Sequence, residues 1–208
     1  MRLPAGLADG GTRIVIEGVN GPTKGAFVAG PYSGSFDNSM SRSPLLLGDR
    51  KRQAWTSFTI RGGALTEPVT ANCEVTSRSI DLGSTEITTA PVTYGCLFER
   101  GGQRLNARFE LREVMGREAS AFREERAGEI GFDGREVRFH SIHSIEGTGM
   151  TTITPAGYVF EIGERAVGAL DLSGEPTLTM RADLDPASLR SIAVAALALA
   201  ILREPPAD

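Results

Sequence analysis

Two cysteines, two histidines and two lysines are all that this chain of 208 residues contains. Two cysteines, Cys73 and Cys96, make neither a disulfide framework nor a cysteine-based zinc site. Buried free thiols are the expectation. A bridge between them requires that their strands pair, and a reducing compartment disfavours it. Two histidines, His140 and His143, fall short of the ligand set that a metal centre needs. In FHSIHS they stand three apart, and on a regular strand such positions face opposite sides. They are read as structural or surface groups, which only a β-bulge would bring together. Neither Lys24 nor Lys51 has a serine three residues before it, so a Ser-x-x-Lys arrangement is absent. The remaining basic residues are all arginines, a bias read as genome composition rather than function.

Long apolar runs are also missing. None reaches the roughly 20 residues that span a bilayer. The N-terminus, MRLPAGLADGG, lacks the apolar centre of a secretory signal. The expectation is a cytoplasmic protein, peripheral to a membrane at most and not integral to one. A net charge of −4 gives no bulk attraction to nucleic acid. Catalytic motifs are incomplete. GVNGPTKG (Gly18–Gly25) has no Gly directly before Lys24 and no Ser or Thr after it, so it reads as a Gly/Pro turn rather than a phosphate loop. Ser33 in GPYSGS does not fit G-x-S-x-G. Arg50-Lys51-Arg52 reads as a solvated turn. Glu124-Glu125, Asp171, Asp183 and Asp185 form no recognisable acid–base set. Asp171 would titrate high if buried in its apolar strand, but an exposed place beside the turn is expected. No catalytic residue, metal or cofactor is assigned.

What is present is organised around Ile192–Leu202, IAVAALALAIL. Its eleven apolar residues leave no polar face at any helical phase, and a helix apolar all round is buried on every side. Asp185-Pro186 supplies an N-cap and a residue preset for the first turn. Arg203 is placed in the last turn, and Pro205-Pro206 blocks continuation. A helix over 187–202, about 24 Å long, is expected at the centre of the fold. A C-terminal membrane anchor is the competing reading.

The rest of the chain reads as β. Residues 1–50 read as a loop-rich entry with short strands at Arg13–Gly18 and Ala26–Ala29 and a mobile tip around Ser33–Ser43. From Ala54, AWTSFTI, VTANCEV and PVTYGCLFE are strands separated by Gly, Pro and Ser clusters. SAFREER and EIGF continue the series. Asp133-Gly134 is a type I′ turn signal, and Arg135–Ile145 returns from it. Tyr158–Ile162, Arg165–Leu172 and Thr177–Ala182 form a meander leading to the helix. About ten strands, one helix and no linker give a single domain over 1–208. Many strands and one all-apolar helix imply a closed antiparallel barrel enclosing the C-terminal helix, with no edges and a filled interior.

The C-terminal third carries a family resemblance. A glycine-rich hairpin (GYVFEIGERAVGALDLSG), a short strand (TLTMRAD), an Asp-Pro cap and an Ala/Leu helix follow one another. This order resembles the tubby-like C-terminal fold, shared loosely by tubby proteins, LURP-one-related proteins and phospholipid scramblases. The resemblance implies a twelve-stranded barrel around a hydrophobic helix and, by analogy of fold, an anionic lipid or protein partner. Neither the phosphoinositide positions of tubby proteins nor the calcium site of scramblases maps onto residues here.

The best candidate binding residues are Arg104, Arg108 and Arg112. Leu105, Ala107, Phe109 and Leu111 alternate with Arg104, Asn106, Arg108, Glu110 and Arg112, the period of a strand with one buried and one wet face. The arginines would form an exposed stripe about 27 Å long, fit to meet anionic headgroups. Pairing with Glu110, Glu124 and their neighbours is the competing reading. Two functions therefore stand: a non-catalytic binding or scaffold barrel, and an enzyme with a loop-built cleft involving His140 and His143. A third option, a subunit of a larger assembly, is left to light scattering, because oligomeric state is not legible.

Overall fold

Asp185 starts the helix as its sequence requires. Its carboxylate accepts from the amides of Ala187 and Ser188, both at 3.1 Å, and from the Ser188 hydroxyl at 2.7 Å, with Pro186 in the first turn. The helix α1 spans Pro186–Ile201 in a computed structural model of the chain. Every residue from Ser191 to Ile201 is buried, which fits a sequence with no polar phase. The helix ends before Arg203. Leu202 is already extended, and the Arg203 side chain reaches the Val19 carbonyl. The expected favourable placement of Arg203 in the last turn is thus corrected.

The structure describes residues 1, 3–4, 6–8, 10–21, 23–44, 49–81, 86–114 and 123–203; along 42–44, 49–52, 78–81 and 86–89 it describes the backbone alone. Twelve strands surround the helix: β1 Gly11–Glu17, β2 Lys24–Ala29, β3 Tyr32–Pro44, β4 Asp49–Gly62, β5 Val69–Asp81, β6 Glu86–Arg100, β7 Gln103–Glu113, β8 Arg126–Phe132, β9 Arg135–Ile142, β10 Gly157–Ile162, β11 Arg165–Asp171 and β12 Thr177–Arg181. Each strand pairs antiparallel with the next, and β12 pairs with β1, closing the barrel. This is the architecture expected, with two more strands than the sequence suggested. No helix among the described residues is long and apolar enough to cross a membrane.

The helix and the inward side chains of the strands make one core. Phe27, Phe58, Phe98, Phe109, Phe139 and Phe160 are fully buried with Ile192, Leu197 and Ile201. Phe109 stacks on Phe139, which meets Tyr158 and Phe160 edge-on. The Tyr94 hydroxyl donates to the Ala198 carbonyl at 3.2 Å, and burial holds its phenol well above the ordinary range. A smaller apolar cluster lies outside the barrel, where Met1 and Leu7 cover Val159 and Ala169.

Two readings are overturned. Ser33–Ser43 belongs to β3, not to a mobile tip. Its Gly and Ser residues suit a strand packed closely on its neighbours: a Cβ at Gly34 would collide with the Thr59 carbonyl and the Phe27 ring. Cys73 and Cys96 are not free thiols. The β5–β6 register sets them directly opposite each other, Cα to Cα 4.0 Å, and they form a disulfide. Other expectations hold with shifted ends. Asp133 and Gly134, both at positive φ, turn β8 into β9, and Arg123–Glu125 of the predicted SAFREER strand precede β8 while its residues 120–122 lie outside the described ones.

Candidate functional site

On β7 the alternation holds. Phe109 and Leu111 are buried, whereas Arg104, Arg108 and Arg112 are exposed. The structure divides the stripe. Arg112 donates to Glu110 at 2.9 Å, and Arg108 donates to Glu129 on β8. Such exposed pairs contribute little to stability, but they offset the positive charge of that end. Arg104 is in none of the ion pairs seen among the described residues. The stripe's charge outside these ion pairs is therefore that of Arg104, at the β7 N-terminal end, with Glu99 opposite it on β6.

At that end the barrel wall opens. The β7–β8 ladder runs from Glu113–Arg126 to Arg108–Gly131 and stops there. Gln103 and Arg104 pair with β6, the β6–β7 register shifts over Leu105–Ala107, and none of the five has a partner in β8. The reason lies at the β8–β9 turn. Asp133 accepts from Arg190 of the helix at 2.7 Å and pairs with Arg100 at 3.4 Å. Ser191 donates to the Phe132 carbonyl at 3.1 Å, and Arg135 lies 3.5 Å from Asp185. These contacts hold the hairpin tip toward the start of the helix. Leu105 and Ala107 point inward by alternation, yet they are only half-buried, because the strand that would cover them has turned away.

The resulting cleft has a volume of about 870 Å³, within the range of ligand pockets. The continuous run Arg104–Arg108 forms one wall. Gly131, Phe132, Gly134, Arg135 and Glu136 form the other. Arg135, 52% exposed at its side chain, faces the same space as Arg104 and Arg108. Leu97, an exposed apolar residue, borders it and joins it to a second depression containing Trp55. Sequence reasoning found Arg104 and Arg108 but missed Asn106 and Arg135. Alternation marks outward residues; it does not report where a ladder ends.

The histidines separate as their spacing predicts. His143 is buried; its Nε2 lies 3.0 Å from Ser141 Oγ and its Nδ1 3.0 Å from the Thr152 carbonyl. His140 is half-buried on the outer face, 3.7 Å from Glu161. Among the described residues, no group of three or more His, Cys, Asp or Glu is placed to hold a metal ion. Asp171 is half-buried. Burial pushes its carboxyl up, but the Met1 ammonium at 2.6 Å and the hydroxyl and amide of Ser173 outweigh burial and leave it below the ordinary carboxylate range. Arg165 and Arg181 hold Asp183 well below that range. Arg50–Arg52 lie on β4, paired with β3 and β5, and not in the turn expected for them; their side chains are outside the described residues.

The fold and site define a class: a closed twelve-stranded antiparallel barrel filled by its C-terminal helix, with a cleft where β7 and β8 part. The chain matches no family model, no curated protein and no solved structure.

Proposed function

We propose that the protein is a non-catalytic binding barrel of tubby-like type, which takes an anion-bearing ligand in the cleft between β7 and the β8–β9 hairpin. The observation that carries this reading is the convergence of three arginines, Arg104, Arg108 and Arg135, against one carboxylate, Glu136, in the lining of one cleft in a chain of net charge −4. Positive charge collected at one place in an acidic protein raises the local concentration of anions. The filled interior leaves the outer surface for binding. An anionic lipid headgroup, as the resemblance implies, is one source of such charge, and an acidic polypeptide is another. Co-sedimentation with anionic and neutral vesicles and titration with polyglutamate test the reading. Binding to at least one anionic probe should fall with salt and with Arg104→Glu plus Arg135→Glu. No binding to either probe would refute it.

A hydrolytic reading has one observation in its favour. Ser141, His143 and the Thr152 carbonyl have the spacing of a nucleophile, a base and a group that orients the base. However, the Ser141 hydroxyl already accepts from the Arg126 amide at 2.9 Å, and His143 is buried. The pair closes the β9–β10 connection, where Thr152 also bonds to the His143 carbonyl. A fluorophosphonate probe is expected to leave Ser141 unlabelled; labelling abolished by Ser141→Ala would favour the enzyme.

A further inference from the structure

Five consecutive residues of one strand, Arg104–Arg108, line the cleft. Neighbouring strand residues point to opposite faces, so a cavity that touches all five meets the strand along its edge. The groups on that edge follow from register. Phe132 and Arg135 flank a two-residue turn, where opposed residues exchange both backbone hydrogen bonds. The backbone of Gly131 then points to β7 and that of its partner Arg108 to β8. Arg104 follows Gln103, whose pair with Arg100 closes the Gly101-Gly102 turn, so its N–H and C=O point the same way, beyond the last β8 pair. The β6–β7 register shifts between these two anchors, and Asn106 lies within that irregularity, paired in neither ladder. The disulfide gives the same phase independently. A Cα separation of 4.0 Å marks Cys73–Cys96 as a non-hydrogen-bonded pair, which turns Cys96 and Phe109 toward each other and Arg108 toward β8.

We infer that Gln103–Ala107 is a docking edge for an extended acidic segment of a partner protein, which adds a strand to β7 inside the cleft; the inference rests on the anion-binding reading above. Unpaired strand edges bind extended peptides through main-chain hydrogen bonds. The open edge is about 17 Å long, enough for a short strand. Arg104 and Arg108 on one side and Arg135 on the other match acidic side chains that alternate along that strand. A flat anionic bilayer fits less well. Beyond the cleft the outer face carries a row across β5 to β10 in which four glutamates, Glu74, Glu110, Glu129 and Glu161, stand with one arginine, Arg138, so that row is net negative and would face the same lipid charge. A narrow strand touches only the cleft.

The test uses the full chain and a fluorescein-labelled octapeptide alternating Glu and Val, read by fluorescence anisotropy. Binding is expected, and should weaken roughly tenfold when alternate peptide amides are N-methylated, since two or three main-chain hydrogen bonds are lost. Asn106→Pro should weaken it similarly, because proline removes a β7 donor that neither ladder uses. Should that variant lose its cooperative melt, the N-methylated peptide against the unaltered protein decides. Equal affinity for the methylated and unmethylated peptides would overturn strand addition while leaving anion binding standing. Anionic vesicle binding without peptide binding would do the same. Binding to neither peptide nor vesicles would overturn both readings.

Discussion

Leu197→Ala is the substitution that examines the filled barrel most searchingly. Leu197 is 1% exposed near the middle of α1, in a core ringed by inward strand residues. The change removes three carbons, a loss of about 2.4 kcal/mol at roughly 0.8 kcal/mol per buried methylene. Every 40 Å³ of cavity that stays open adds about 1 kcal/mol. A wall hydrogen-bonded from strand to strand around the helix collapses poorly, so the total is expected near the upper part of the 2–5 kcal/mol range. Leu189 is the control. It lies in the same helix but is only half-buried near the start, so Leu189→Ala should cost about 1–2 kcal/mol. Denaturant unfolding gives both values, and the m-value should stay constant. Equal costs for the two variants, or a Leu197→Ala cost below about 1 kcal/mol, would mean that the helix centre is not the packed core described.

Three further outcomes are expected. The disulfide closes a loop across a sequence separation of 23, so Cys73→Ser with Cys96→Ser should cost about 3 kcal/mol; thiol titration of the unreduced, denatured protein should find no free thiol. Asp171 titrates below its ordinary value in the folded state, so its contribution is present above the unfolded pKa and is lost as pH falls through the folded one. Asp171→Asn should therefore flatten the drop in melting temperature below about pH 4. Asp185→Ala should lower the melting temperature by removing the helix cap, while Asp185→Asn, which still accepts the Ala187 and Ser188 amides, should retain most of it.

What could be read from the sequence was what is local and periodic. The helix announced itself because no phase of Ile192–Leu202 is polar. β7 did so through strict alternation, and the 133–134 and 163–164 turns through their glycines. β3 was missed because its outer positions are Ser and Asp and one close-packed position is Gly34, a composition shared with loops. The disulfide depends on how two strands align, which neither strand states alone. The split seam depends on Asp133 meeting Arg190, residues 57 apart in the chain. That contact has no local signature, so Arg104 and Arg108 were legible as exposed, while the cleft they share with Arg135 was not. The competing expectation for the stripe, pairing with neighbouring glutamates, holds for Arg108 and Arg112.

The open edge can be measured without any ligand. Native-state hydrogen exchange followed by NMR reads each β7 amide separately. The amides of Arg104 and Asn106 should exchange close to the rate of an unstructured chain. Those of Arg108, Glu110 and Arg112, directed into the β7–β8 ladder, should be protected to a degree approaching global unfolding. Protection of Arg104 equal to that of Arg108 would mean that the seam is shut, and the cleft and strand-docking account would fail with it.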